Sequence, residues 1–176
     1  VDYSSNSLIL VGMPGAGKST VGLLLAKELA MDFVDTDILI QSREKKTLQD
    51  ILDSEGYLAL RRIEEEVLLA TNYPSHVIAT GGSAVYSQAA MNHLKQFGRV
   101  VFLDVPLEIL KERIHNYDTR GIARRPGQSL LELFAERRAL YLQVADILID
   151  CRDLAPTQLV EEIIYAEAEH FAEKDA

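Results

Sequence analysis

Short apolar runs alternate with longer amphipathic stretches along almost the whole chain. Residues 8–11, 33–34, 76–79, 100–103 and 147–149 are too short for helices. They carry the near-continuous hydrophobicity of strands buried on both faces. Between them, residues 21–29, 55–70, 88–96, 107–114, 130–144 and 157–171 repeat apolar positions at helical spacing. This alternation predicts βαβ crossovers, and hence an α/β fold with three layers, helices covering both faces of a five-stranded parallel sheet. Ligands of such sheets gather at the carboxyl ends of the strands. The segments that directly follow strands therefore carry the functional information. One interruption lies elsewhere: residues 116–129, between two helical stretches, are rich in Gly, Arg, Pro and polar residues and read as a mobile flap.

Composition narrows the partners. The 176 residues fit one domain spanning 1–176, with 48% hydrophobic and 26% charged positions, as in an ordinary soluble enzyme. A net charge of −9 argues against a nucleic-acid surface. The cations are unevenly spread, however: Arg120, Arg124, Arg125, Arg137 and Arg138 cluster late in the chain, an arrangement suited to a small anion. No apolar stretch approaches a membrane span, and residues 1–7 lack the layout of a signal peptide. A single cysteine, Cys151, allows no internal disulfide and suits a reducing, cytoplasmic setting. It reads as a small buried residue at a strand end. The acidic segment 161–175 reads as a solvated helix face.

The first strand runs into Gly12, Gly15, Ala16, Gly17, Lys18, Ser19 and Thr20, matching G-x-x-x-x-G-K-[ST] between a strand and a helix. Glycines there let backbone N–H groups curl around a polyphosphate; Lys18 reaches the β/γ-phosphates and Ser19 can ligate magnesium. The chain is thus expected to bind a nucleoside triphosphate. Asp35 and Asp37 follow the second strand. In an extended segment both carboxylates point toward one crevice, while a helix N-cap is the equally open alternative. Arg61 and Glu64, three apart, suit a surface ion pair on a charged helix. Gly81 and Gly82 suit either a turn or a close approach to ligand. The flap arginines can close over a nucleotide or form a solvated basic loop.

Taken in order, these pieces resemble the shikimate kinase family, small P-loop kinases. The resemblance runs over residues 8–164 and rests on five motifs: the P-loop, Asp35-Thr36-Asp37, Leu60-Arg61-Arg62-Ile63-Glu64, Ala79-Thr80-Gly81-Gly82-Ser83, and the segment from Glu136 to Ala145. It implies a P-loop fold with substrate-binding helices over about 37–71 and a lid over about 116–129. It also implies ATP and Mg²⁺ as cofactors, shikimate as the phosphoryl acceptor, and a monomer acting in the cytoplasm. By the same resemblance Lys18, Asp37 and Arg120 serve catalysis, with Asp37 as base. Ser19 and Asp35 hold magnesium, and Arg61 and Arg137 grip the acceptor carboxylate. Gly81 and Gly82 offer backbone contacts to ring hydroxyls, while Arg113, Arg120 and Pro156 lie toward the nucleotide. Arg120 aligns with the lid arginine by its spacing from Arg113; Arg124 and Arg125 compete for that role. The chain departs from the pattern at Leu60, Ser83 and Ala139, and its lid motif has lost a proline and two leucines. A kinase for another hydroxy-acid such as gluconate, or a non-catalytic nucleotide-binding regulator, are the alternatives; Lys18 and Asp37 together speak against the regulator.

Overall fold

The apolar runs become strands, most of them a residue or so longer than the run itself. In the computed structural model, which describes residues 6–174, β1 (Ser7–Val11), β2 (Asp32–Asp35), β3 (His76–Ala79), β4 (Gly98–Asp104) and β5 (Ile147–Asp150) form one sheet. Its order is β2-β3-β1-β4-β5, and every pair is parallel. Central β1 is buried at all five positions, with Ile9 paired to Ile78 on one side and Val100 on the other. Edge strand β5 alternates instead, Ile147 and Ile149 inward and Leu148 and Asp150 outward. Most of residues 1–7, read above for a leader, fall outside the described residues, as does Asp175.

Helix α1 (Lys18–Leu29) follows β1, and α5 (Gln88–Lys95), α6 (Leu107–Arg113), α7 (Leu130–Val144) and α8 (Pro156–Lys174) complete the later crossovers. Helices α1 and α8 pack together, while α5 and α7 lie against β4. Right-handed crossovers place these pairs on opposite faces, giving the expected three layers. The chain leaves β1 toward β2 but leaves β4 toward β5, so the loops beyond these neighbours diverge and open a crevice. No described helix is long and apolar enough to cross a membrane.

Two helices were not evident from periodicity. Between β2 and the helix expected over residues 55–70 the chain forms α2 (Thr36–Glu44) and α3 (Leu48–Glu55), and only then α4 (Tyr57–Leu69). Thr47 and Asp50 make a reciprocal capping box that starts α3. Gly56, at φ 85°, separates α3 from α4, so Glu55 ends one helix rather than opening the next. These three helices share a small core of Ile40, Ile51, Leu60, Ile63 and Val67, joined by Ala123 from the loop after α6. The acidic face of α8 is also not wholly solvated, because Glu167 is fully buried and pairs with Arg99 of β4.

Helix α1 lies close to the sheet at Gly22. A Cβ there would sit 2.8 Å from the Phe33 ring and 3.2 Å from Leu10 Cδ1. Gly22→Val therefore overpacks this contact and should destabilise the fold by about 1–3 kcal/mol, read as a lower urea midpoint with an unchanged m-value.

Candidate active site

The loop from β1 to α1 adopts the conformation its glycines permit. Gly15 and Gly17 have φ of 81° and 91°, and a side chain on Gly12 would run into the Leu103 carbonyl of β4. Ala16 is buried beneath the loop, whereas Ser19 and Thr20 are exposed at its mouth. The Lys18 ammonium donates to the carbonyls of Gly12 (2.8 Å) and Met13 (2.9 Å). Burial lowers its pKa to about 8, against the raising effect of the Asp37 charge.

Asp35 turns out to cap a helix and face the loop at once. One carboxylate oxygen accepts from the Asp37 backbone N–H (2.9 Å) and caps α2; the other accepts from the Ser19 hydroxyl (2.5 Å). The extended segment that one reading required is absent, because the helix begins at Thr36. That helical turn presents Asp37 to a cavity of about 370 Å³ shared with Lys18, Ser19, Glu64, Gly82 and Arg137. Burial pushes the Asp37 carboxyl up, with Lys18 opposing.

Arg137 is 1% exposed, a costly place for a guanidinium unless anions or carbonyls meet it. Its Nη2 donates to the Ala123 carbonyl (2.7 Å), and Arg61 Nη2 reaches the same oxygen at 3.3 Å. Arg61 stacks 3.6 Å over the Tyr86 ring and borders a second cavity of about 310 Å³, adjoining the first through Glu64 and Ser83. The surface ion pair expected between Arg61 and Glu64 does not form: Glu64 is buried and accepts a hydrogen bond from Ser83. The Nε atoms of Arg61 and Arg137 are both buried without a hydrogen-bond partner among the described residues.

The loop after β3 closes the floor. The Gly81 N–H donates to Thr36 Oγ1 (3.1 Å), its carbonyl accepts from the Ala84 N–H, and the Gly82 carbonyl accepts from Tyr141 (2.6 Å). Of the backbone groups expected to contact ring hydroxyls, the Gly81 N–H is engaged by Thr36 in this structure. What Gly81 supplies is space, since a side chain there would strike the Glu64 and Asp37 carboxylates.

Three flap arginines separate by their partners. Arg124 pairs with Asp118, donates to the Gln128 carbonyl and stacks on Tyr117; Arg125 pairs with Glu136 at 2.9 Å. Arg120 lines the main cavity beside Arg113, whose Nη1 donates to the Gly15 carbonyl (3.2 Å). Pro156 is exposed, opens α8, and does not border that cavity. Cys151 is buried at the end of β5, as expected, its thiol pushed up to about 12 by burial. Glu64, Ser83 and Tyr86 are site neighbours that carried no assigned role. Glu64 did leave a signal: with Leu60, Ile63 and Val67 it completes an i, i+3, i+4, i+7 stripe, a carboxylate on an apolar face.

Burial and the Asp37 charge raise Glu64 from 4.5 to about 7. The folded chain therefore holds this proton more tightly than the unfolded chain. The stabilisation is complete below about pH 4.5 and is lost as pH rises through about 7. Glu64→Gln removes the titration. Its urea stability relative to the native chain should be greater at pH 8 than at pH 5 by on the order of 2 kcal/mol.

Known proteins are similar to this chain in both sequence and fold. A sequence model described as shikimate kinase matches residues 14–167. Shikimate kinase 2 of Serratia proteamaculans is 36% identical over 167 residues, covering 92% of this chain and 95% of that protein. Shikimate kinase of Microcystis aeruginosa is 41% identical over 164 residues, covering 91% and 85%. Among solved structures, shikimate kinase from Acinetobacter baumannii in complex with shikimate superposes with a TM-score of 0.86 at 32% identity, over 96% of each chain. With a family model matching most of its length and relatives alike over nine-tenths of it, this chain belongs to the shikimate kinase family.

Proposed function

We propose that the chain transfers the γ-phosphoryl group of ATP to a ring hydroxyl of shikimate, giving shikimate 3-phosphate. The observation that carries this reading is one cavity lined by Lys18 and Ser19 together with Asp37 and Arg137. Phosphate donor and carboxylate-bearing acceptor can therefore lie side by side out of bulk water, which favours transfer over hydrolysis.

In this reading the P-loop N–H groups and Lys18 bind the phosphates, and Arg113 borders the nucleotide. Lys18, at about 8, keeps its charge at neutral pH. Ser19 Oγ and an Asp35 oxygen converge at the loop mouth, an all-oxygen pair that suits Mg²⁺, with Asp35 acting through the water shell. Bound there, magnesium neutralises charge on the β- and γ-phosphates. Arg61 and Arg137 hold the acceptor carboxylate. Asp37 takes the proton of the attacking hydroxyl as its oxygen bonds to the γ-phosphorus and the bond to the β-phosphate oxygen breaks. Its raised pKa makes it a stronger base than an exposed aspartate. Arg120 meets the transferring group when the lid segment closes.

The similarity to shikimate kinases over nine-tenths of the chain favours shikimate over gluconate, and a binding-only regulator has no use for Asp37. Release of ADP from ATP–Mg²⁺, measured with shikimate, gluconate and other hydroxy-acids, tests the reading. The expected result is release dependent on shikimate. A folded, ATP-binding protein that leaves shikimate unphosphorylated overturns the acceptor.

Asp37→Asn should lower kcat by about a hundredfold or more while nucleotide affinity stays near the native value, by steady-state kinetics and ATP titration. Among the lid arginines, Arg120→Ala should depress kcat more than Arg124→Ala or Arg125→Ala, whose partners lie within the loop and on α7. A milder Arg120→Ala would transfer the role to one of its neighbours.

A further inference from the structure

Ser83 stands where the loop after β3 turns into the short 3₁₀ segment Ala84–Tyr86. Its φ of −97° and ψ of 0° are open to any residue, so the backbone makes no demand for glycine. The side chain is buried, and its hydroxyl donates to Glu64 Oε2. The other carboxylate oxygen, Glu64 Oε1, is buried and has no hydrogen-bond partner among the described residues. It lies against Gly81 beside Asp37 Oδ1, for a Cβ placed on Gly81 would meet these two oxygens before any other atom. Lys18 from α1, Asp37 from α2 and Arg137 from α7 all act on Glu64 through their charge, yet none donates a hydrogen bond to Oε1. Arg61, one turn back on α4, is turned to the Ala123 carbonyl. A bare acceptor in so dry a place is costly unless a ligand donor satisfies it.

We infer that Ser83 is a positioning residue for the phosphoryl acceptor: its hydroxyl holds Glu64 so that the free oxygen takes a hydroxyl of the acceptor ring. The inference rests on the proposed reaction and concerns acceptor binding, not nucleotide binding. Without the Ser83 hydroxyl the carboxylate loses the hydrogen bond that fixes its orientation. It then turns toward the nearby cation Arg137, competing with the acceptor carboxylate for that guanidinium. Ground state and transition state lose the same contact, so KM for the acceptor rises while kcat holds.

The test is steady-state kinetics of Ser83→Ala, Ser83→Thr and Glu64→Ala, each first shown by thermal melting to be folded. Ser83→Ala should raise KM for shikimate about fivefold to tenfold, the scale of one ordinary hydrogen bond. Its kcat and its KM for ATP should stay within about twofold. Ser83→Thr, which keeps the hydroxyl, should restore the native KM. In a Glu64→Ala background, Ser83→Ala should add nothing, because it acts through the missing carboxylate. An unchanged shikimate KM in Ser83→Ala overturns the inference, as does an effect undiminished in the Glu64→Ala background. A native chain active on shikimate with an indifferent Ser83 refutes this inference alone. A native chain inactive on shikimate refutes the proposed reaction and this inference with it.

Discussion

Two cations and two carboxylates share one dry cavity: Lys18 is 8% exposed, Arg137 1% and Glu64 3%, and Asp37 lines the same space. None can be kept there alone, since an isolated charge out of water costs far more than the fold's net stability. Each lowers the cost of the others, and the cavity exists only because four different elements deliver them together. Lys18 comes from the start of α1, Asp37 from the first turn of α2, Glu64 from mid-α4 and Arg137 from α7. The parallel sheet supplies the frame by ending β1, β2, β3 and β4 at one edge. The small core shared by α2, α3 and α4 then fixes the acidic wall against the basic one.

The sheet was legible because burial on both faces leaves an unmistakable trace: β1, β3 and the middle of β4, Val100 to Leu103, are apolar at nearly every position. Helices α2 and α3 left a poorer one. Ile38, Leu39 and Ile40 are consecutive, which obscures a 3.6-residue period, and the capping box of α3 uses Asp50 where Glu is the commoner signal. Asp35 shows how one residue can serve two partners, although only the helix-cap reading of its backbone holds. A carboxylate has two oxygens, and here one caps the helix while the other meets Ser19.

The candidate site divides along a similar line. The P-loop is recognisable because its chemistry demands glycines, lysine and a hydroxyl at fixed spacing within one loop. Glu64, Ser83 and Tyr86 are brought together by tertiary packing, and no local pattern relates them. The three flap arginines are alike in sequence; only their partners tell them apart. Asp118 and Gln128 occupy Arg124, and Glu136 occupies Arg125, while Arg120 borders the cavity.

The contact between the lid segment and the arginine pair is made by a peptide oxygen, that of Ala123. A main-chain carbonyl is present whatever side chain the residue bears, so evolution can rewrite this stretch without erasing the handle by which the arginines hold it. On the alignment through Arg120, Gly121, Ile122 and Ala123 replace a proline and two leucines, and in this chain the Ala123 carbonyl nonetheless accepts from both guanidiniums. What the sequence must preserve is the path of the backbone, and Gly121, at φ 73° with its N–H on Gln49 of α3, is where that path is set. Divergence in such a lid is therefore a poor guide to divergence in what lies beneath it.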